Sequence, residues 1–153
     1  MSTTNQIIRT AIGNDPTKTT KQLKREYFSN PPSGGASLNR KPMITFTFDD
    51  GHVSNYTRAF PVFLENGFRA TEFINGSTAD VDSTRMTSAQ IKELSHAGWE
   101  MACHSWSHPN LTTITDRELM DDLRQNKQFL EELTGRPVYT HAIPFGQYDT
   151  RVV

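Results

Sequence analysis

The sequence predicts an α/β fold built on a parallel sheet or barrel, and three observations carry that expectation. Short apolar, β-branched runs alternate with stretches whose apolar residues recur at helical spacing. Two of the helical stretches open on a capping box and end at a glycine. Polar, chemistry-bearing residues stand at the exit of the apolar runs, the rim where parallel sheets and barrels place their chemistry.

The first strand is expected at residues 43–48, and it ends abruptly in Asp49, Asp50 and Gly51. Thr, Ile and Phe suit a pleated, packed surface, and the glycine lets the chain turn away with both acids at the rim. Tyr56, Phe60, Phe63 and Leu64 then recur as the core stripe of a helix closing at Gly67. A second strand is expected at residues 70–74, followed by the turn Asn75-Gly76-Ser77. Thr87 and Gln90 form a capping box for a helix carrying Ile91 and Leu94 and ending near Gly98. Residues 99–103 make a third strand, with His104 at its exit. Thr115 and Glu118 cap a longer helix with Leu119, Leu123, Leu130 and Leu133 on one face, ended by Gly135. Residues 137–143 read as a fourth strand running into Pro144-Phe145-Gly146.

Residues 1–40 have a different character. Six basic side chains (Arg9, Lys18, Lys21, Lys24, Arg25, Arg40) face two acids (Asp15, Glu26) among Thr, Ser, Asn, Gly and Pro. Residues 30–35 read as a linker and 19–28 as a possible short helix, so this segment is expected to be a polar, flexible leader or an attachment to a larger assembly. Residues 41–153 form the folded domain. The 153 residues carry 35% hydrophobic and 10% aromatic side chains, enough for one domain with a real core. A formal net charge of -1 gives no electrostatic case for nucleic acid or an anionic membrane, and a neutral substrate is the simpler expectation. The lone Cys103 excludes an internal disulfide. Residues 1–12 hold no apolar signal core and no window reaches the length of a membrane span. The expected location is therefore the cytoplasm or a larger extracellular or virion assembly.

Two adjacent acids at a strand exit, without Lys or Arg beside them in sequence, are costly unless something positive sits there. A metal ion is the simplest candidate, the plainer alternative being carboxylates that cap turn N–H groups. His104 and His108, four apart, can converge on one ion, and one acid with two histidines leaves a coordination position open, as in catalytic sites. Packing histidines, or a structural zinc site that includes Cys103, are the alternatives, although strand alternation turns Cys103 away from His104 and into the core. Trp106 reads equally as a sugar-stacking wall or as loop packing. Among the other histidines, His52 follows the acid pair and could approach the site, whereas His96 is expected at the surface.

Thr47-Phe48-Asp49-Asp50-Gly51, His104-Ser105-Trp106-Ser107-His108 and Ala142-Ile143-Pro144-Phe145-Gly146, in this order and spacing, resemble the first three motifs of the polysaccharide deacetylase family (NodB-like, carbohydrate esterase family four). Arg69-Ala70-Thr71-Glu72-Phe73-Ile74 resembles the family's second strand. The resemblance implies a distorted (β/α) barrel, of which this chain is expected to carry the front portion, incomplete at its C-terminal side. It also implies a metal-dependent hydrolase that removes acetyl groups, N-acetyl first and O-acetyl as the nearest variant, from an acetylated glycan. By position, Asp50, His104 and His108 become the metal ligands and Asp49 the general base toward a metal-bound water. Pro144, Phe145 and Gly146 become a groove wall that offers a backbone N–H to the oxyanion. The implied cofactor is a divalent ion, zinc by default, with cobalt, nickel or iron accepted by the same ligands.

Two departures from the family pattern stand out. Ala142 occupies the position where many members have an arginine that orients the base. No counterpart is found for the family's Leu-x-His, whose histidine serves as general acid. They motivate the alternative of a catalytically inactive glycan-binding or assembly module, for example in a virion or surface structure, that keeps the fold.

Overall fold

The computed structural model describes residues 44–153. The leader expected at 1–40, with its linker and short helix, lies outside the described residues. Three short parallel strands, β1 (Thr47–Phe48), β2 (Thr71–Ile74) and β3 (Glu100–Cys103), form a sheet in the order β1-β2-β3. Thr47 pairs with Thr71, and Thr71 with Glu100, so all the strands point their carboxyl ends the same way. The Thr71 N–H also donates to the Phe46 carbonyl at 3.0 Å, so the first ladder occupies only the last part of the expected strand.

A π-helical turn at Asn55–Ala59 leads into α1 (Phe60–Asn66), which Gly67 ends in the left-handed conformation with φ of 68°. Phe60 and Phe63 bury against the sheet, with Phe63 5.0 Å from Phe46 and 5.1 Å from Trp99. Leu64, expected on the same stripe, is 63% exposed. At about 100° per residue Phe63 and Leu64 fall on opposite sides of Phe60, and the sheet takes the Phe63 side.

The other two helices follow the sequence reading closely. In α2 (Ser88–His96) the Thr87 side chain accepts from the Gln90 N–H, and in α3 (Asp116–Thr134) Thr115 does the same for Glu118, both as complete capping boxes. Ile91, Leu94 and Leu130 are fully buried in the core with Trp99 and Ile74, while His96 is exposed.

The fourth strand is not a strand. The chain beside β3 makes one isolated parallel bridge between Cys103 and His141, held by Cys103 N–H to Thr140 O at 3.0 Å and Ala142 N–H to Cys103 O at 2.9 Å. The residues before it are occupied elsewhere. Pro137 has no N–H to give, the Val138 N–H donates to the Glu131 carboxylate at 2.8 Å, and the Val138 carbonyl accepts from Lys127 Nζ. Side chains of α3 have taken the backbone groups that a ladder would need.

Candidate metal centre

Two segments, the turn after β1 and the loop after β3, deliver the polar groups that meet at the carboxyl edge of the sheet. Asp50 leaves β1 with φ of 68° and Gly51 continues at 63°, a tight left-handed turn that Asp tolerates better than most side chains and glycine freely. His104 follows β3 directly, its N–H donating to Ile74 O at 3.0 Å. His108 closes the same loop, with its backbone N–H donating to Ser105 Oγ at 2.9 Å.

The side chains converge. Asp50 Oδ1 lies 3.5 Å from His104 Nε2 and 3.4 Å from His108 Nε2, and one ligand atom from each of the three falls within 4.8 Å of the others. Ligands bonded at about 2.0–2.1 Å around a tetrahedral ion stand roughly 3.3–3.4 Å apart, so this donor set fits a divalent cation. His104 is nearly fully buried, and its Nδ1 sits 2.9 Å from the Ala142 carbonyl. A carbonyl can only accept, so Nδ1 carries a proton and Nε2 is the ring nitrogen turned toward Asp50.

The second oxygen of Asp50 faces different groups. Arg85 Nη1 donates to the Asp50 backbone carbonyl at 3.0 Å and lies 3.6 Å from Oδ2, while His52 Nε2 is 3.6 Å from Oδ2 and 3.0 Å from Arg85 Nη1. His52 does approach the centre, through Asp50. Arg85, from the loop before α2, supplies the positive charge that the local sequence around the acids lacks. Asp49, expected as the base, is exposed and has no hydrogen bond or ion pair among the described residues.

Behind this turn lies a group that sequence reading passed over. Glu72 on β2 is fully buried, and its Oε1 accepts from Asn55 Nδ2 at 2.9 Å while Oε2 has no hydrogen-bond partner among the described residues. Burial pushes its pKa up to about 8, opposed by hydrogen bonds from Asn55 and the Gly51 N–H and aided by the charges of Asp49 and Asp50. Cys103 is buried, with its pKa raised mainly by burial, and Asn126 Nδ2 donates to its sulfur at 3.2 Å. It is a core residue.

One wall is the turn at Pro144–Gly146, where Phe145 has φ of 59°, is 65% exposed and places its ring 4.6 Å from that of His108. The Gly146 N–H donates to Ile143 O and the Gln147 N–H to Pro144 O. Pro144 has none, so Phe145 holds the free N–H of the turn among the described residues. Trp106 packs into the loop: its ring meets Phe129 at 5.6 Å and covers Gly76 so closely that a Cβ there would fall 2.4 Å from it.

The family model described as "Polysaccharide deacetylase" matches residues 37–153. Chitin deacetylase 3 of Cryptococcus neoformans is 32% identical over 111 residues, covering 69% of this chain and 25% of that protein. A solved polysaccharide deacetylase from Bacillus cereus superposes with a TM-score of 0.65 at 34% identity, over 71% of this chain and 35% of that one. The Streptococcus pyogenes deacetylase PplD, solved in complex with acetate, has the same fold, with a TM-score of 0.72 at 20% identity over 88% of this chain and 57% of its own. The curated relatives are longer proteins: across several of them the chain spans between 18% and 47% of their length.

Proposed function

Because the chain belongs to the polysaccharide deacetylase family, we propose that the intact protein hydrolyses acetyl groups, N-acetyl before O-acetyl, from a polysaccharide, with Asp50, His104 and His108 holding a divalent cation. The observation that carries this reading is the convergence of Asp50 Oδ1 with the two Nε2 atoms, brought together from β1 and from the far end of β3. Zinc suits one carboxylate and two imidazoles, and cobalt, nickel or iron fit the same donors. A cation bound there supplies a Lewis acid for the acetyl carbonyl and lowers the pKa of the attacking water.

The remaining work belongs to the chain itself. Asp49, beside the centre and open to solvent, takes a proton from the attacking water as its oxygen bonds to the acetyl carbon. The free Phe145 N–H is the donor available to the oxyanion, and the Phe145 ring with buried Pro144 and the Gly146 turn walls the groove. Collapse breaks the C–N bond, the proton held by Asp49 goes to the leaving nitrogen, and acetate and an amine are released. Ala142 contributes only main chain: its carbonyl orients His104.

The name of the chitin deacetylase relative makes an N-acetylglucosamine oligomer the first substrate to try. The test measures bound metal and acetate release for the wild type and Asp50→Ala. The expected result is loss of stoichiometric metal and a fall in acetate release beyond the roughly 10–100-fold typical of groups that merely support ligands. An Asp50→Ala protein with unchanged metal content and unchanged release would sink the proposal. A second reading, a glycan-binding module without turnover, draws on the unheld carboxylate of Asp49 and the alanine at 142. Metal uptake and oligosaccharide binding with no acetate release would favour it.

A further inference from the structure

His104 and His108 sit at the two ends of one loop, and beyond its one internal bond, from the His108 N–H to Ser105 Oγ, that loop is supported from outside. Ser105 and His108 both have left-handed φ, 64° and 56°, a conformation that non-glycine residues hold only where their surroundings impose it. The middle of the loop is held from two sides: the Ser77 N–H, just after β2, donates to the Trp106 carbonyl at 3.1 Å, and α3 takes the loop's N–H groups. Asp122 Oδ1 accepts from the Trp106 N–H at 2.7 Å, and Oδ2 accepts from the Ser107 N–H at 3.0 Å and from Ser107 Oγ at 2.7 Å. Both carboxylate oxygens are used, and bonds to an ionised acceptor are the stronger kind. One helical turn on, fully buried Asn126 donates to Ile74 O and accepts from the Gly76 N–H, tying the same face of α3 to the exit of β2.

We propose that Asp122 is a positioning residue of the metal centre: by clamping two of the three residues between the histidines it sets the separation at which His104 and His108 meet Asp50. Trp106 and Ser107 lie between the two ligands in sequence, so the bonds to their N–H groups act with the Ser77 N–H bond to the Trp106 carbonyl in setting the span of the loop. Asp121, the adjacent residue, makes a control because it points its carboxylate to exposed Arg117 and Arg124 at 3.7 and 3.8 Å and touches no part of the loop. The inference rests on the metal reading above and concerns which residue organises it.

The experiment titrates Co²⁺ into the metal-free full chain and follows the d–d absorption, alongside the thermal unfolding midpoint of each metal-free protein. For Asp122→Asn the expected result is a 10–100-fold weaker Co²⁺ affinity and an altered absorption band, the range seen when groups supporting ligands are removed. Asp121→Asn is expected to bind Co²⁺ as the wild type does. Ser107→Ala removes one of the three bonds while leaving Asp122 in place, and is expected to weaken Co²⁺ about threefold; it carries the test if Asp122→Asn does not fold. Wild-type affinity and band shape in Asp122→Asn, or in Ser107→Ala where that carries the test, overturn the proposal. So does an equal loss in Asp121→Asn, which would make the effect one of general helix charge. A wild type that takes up no Co²⁺ overturns the metal reading itself, a different failure from a wild type and an Asp122→Asn that bind alike.

Discussion

Glu72 sits in the middle strand, opposite Phe48, where strand patterning calls for an apolar side chain. Its carboxyl is fully buried with one oxygen unpartnered, and its pKa stands at about 8 against 4.5 for an ordinary glutamate. The folded protein therefore keeps a proton that the unfolded chain releases above pH 4.5. Stability from this group is complete below that pH and is lost as pH rises through about 8. Denaturant unfolding of the metal-free protein should show a loss of up to about 4 kcal/mol between pH 5 and pH 8.5, and Glu72→Gln should flatten it. The same pH slope in wild type and Glu72→Gln would place the titrating group elsewhere. At this scale the sequence made the ligand candidates legible, because Asp50 and His104 stand at strand exits and His108 follows four residues on, all within recognisable motifs. Arg85 and Asp122 were not legible. Their contacts with Asp50 and with Trp106 and Ser107 cross 35 and about 15 residues of chain, and an Arg in a loop or an Asp on a helix has no local mark of what it will reach.

Helix α3 shows how one element serves both fold and centre. Its start is local chemistry: Thr115 Oγ1 accepts from the Glu118 N–H at 3.3 Å and the Glu118 carboxylate accepts from the Thr115 N–H at 2.8 Å. Thr115→Ala should cost about 1 kcal/mol, read as a drop of a few degrees in the unfolding midpoint, with far-UV helicity otherwise kept. No change in midpoint would mean that packing of Leu119 and Leu130 alone sets this end of the helix. Caps, glycine stops and the apolar stripe are properties of neighbouring residues, so they were readable in the sequence. The absent fourth strand was not, since residues 137–143 have strand-like composition and the competition for the Val138 backbone comes from Lys127 and Glu131 on α3. The π-helical turn at Asn55–Ala59 was likewise invisible, because it accompanies the tie between Asn55 and a glutamate on another strand.

The whole molecule joins these scales through the sheet edge. On the proposed reading, a cation held by residues from the turn after β1 and from the loop after β3 would bind the folded chain and not the unfolded one, which would link metal and stability. Zinc at about 100 times its dissociation constant should raise stability by about 2.7 kcal/mol, seen as a higher unfolding midpoint that a chelator reverses and Asp50→Ala abolishes. A midpoint indifferent to zinc and to chelator would argue against any resident ion. By itself the sequence determined the α/β class, the order of the first three strands and the helices between them, and both helix caps, because each is written in local spacing and residue type; Asp50, His104 and His108 were marked through their resemblance to a family's motifs, since spacing does not choose between Asp49 and Asp50. Only the tertiary structure decided that Asp49 stands exposed without a partner among the described residues, that Trp106 packs over Gly76, that the fourth strand gives way to side chains of α3, and that Arg85, Glu72 and Asp122 stand around the centre and its loop. Each of those outcomes is a competition between groups far apart in the chain for the same hydrogen bond or the same space, and such competitions are settled only when the elements pack.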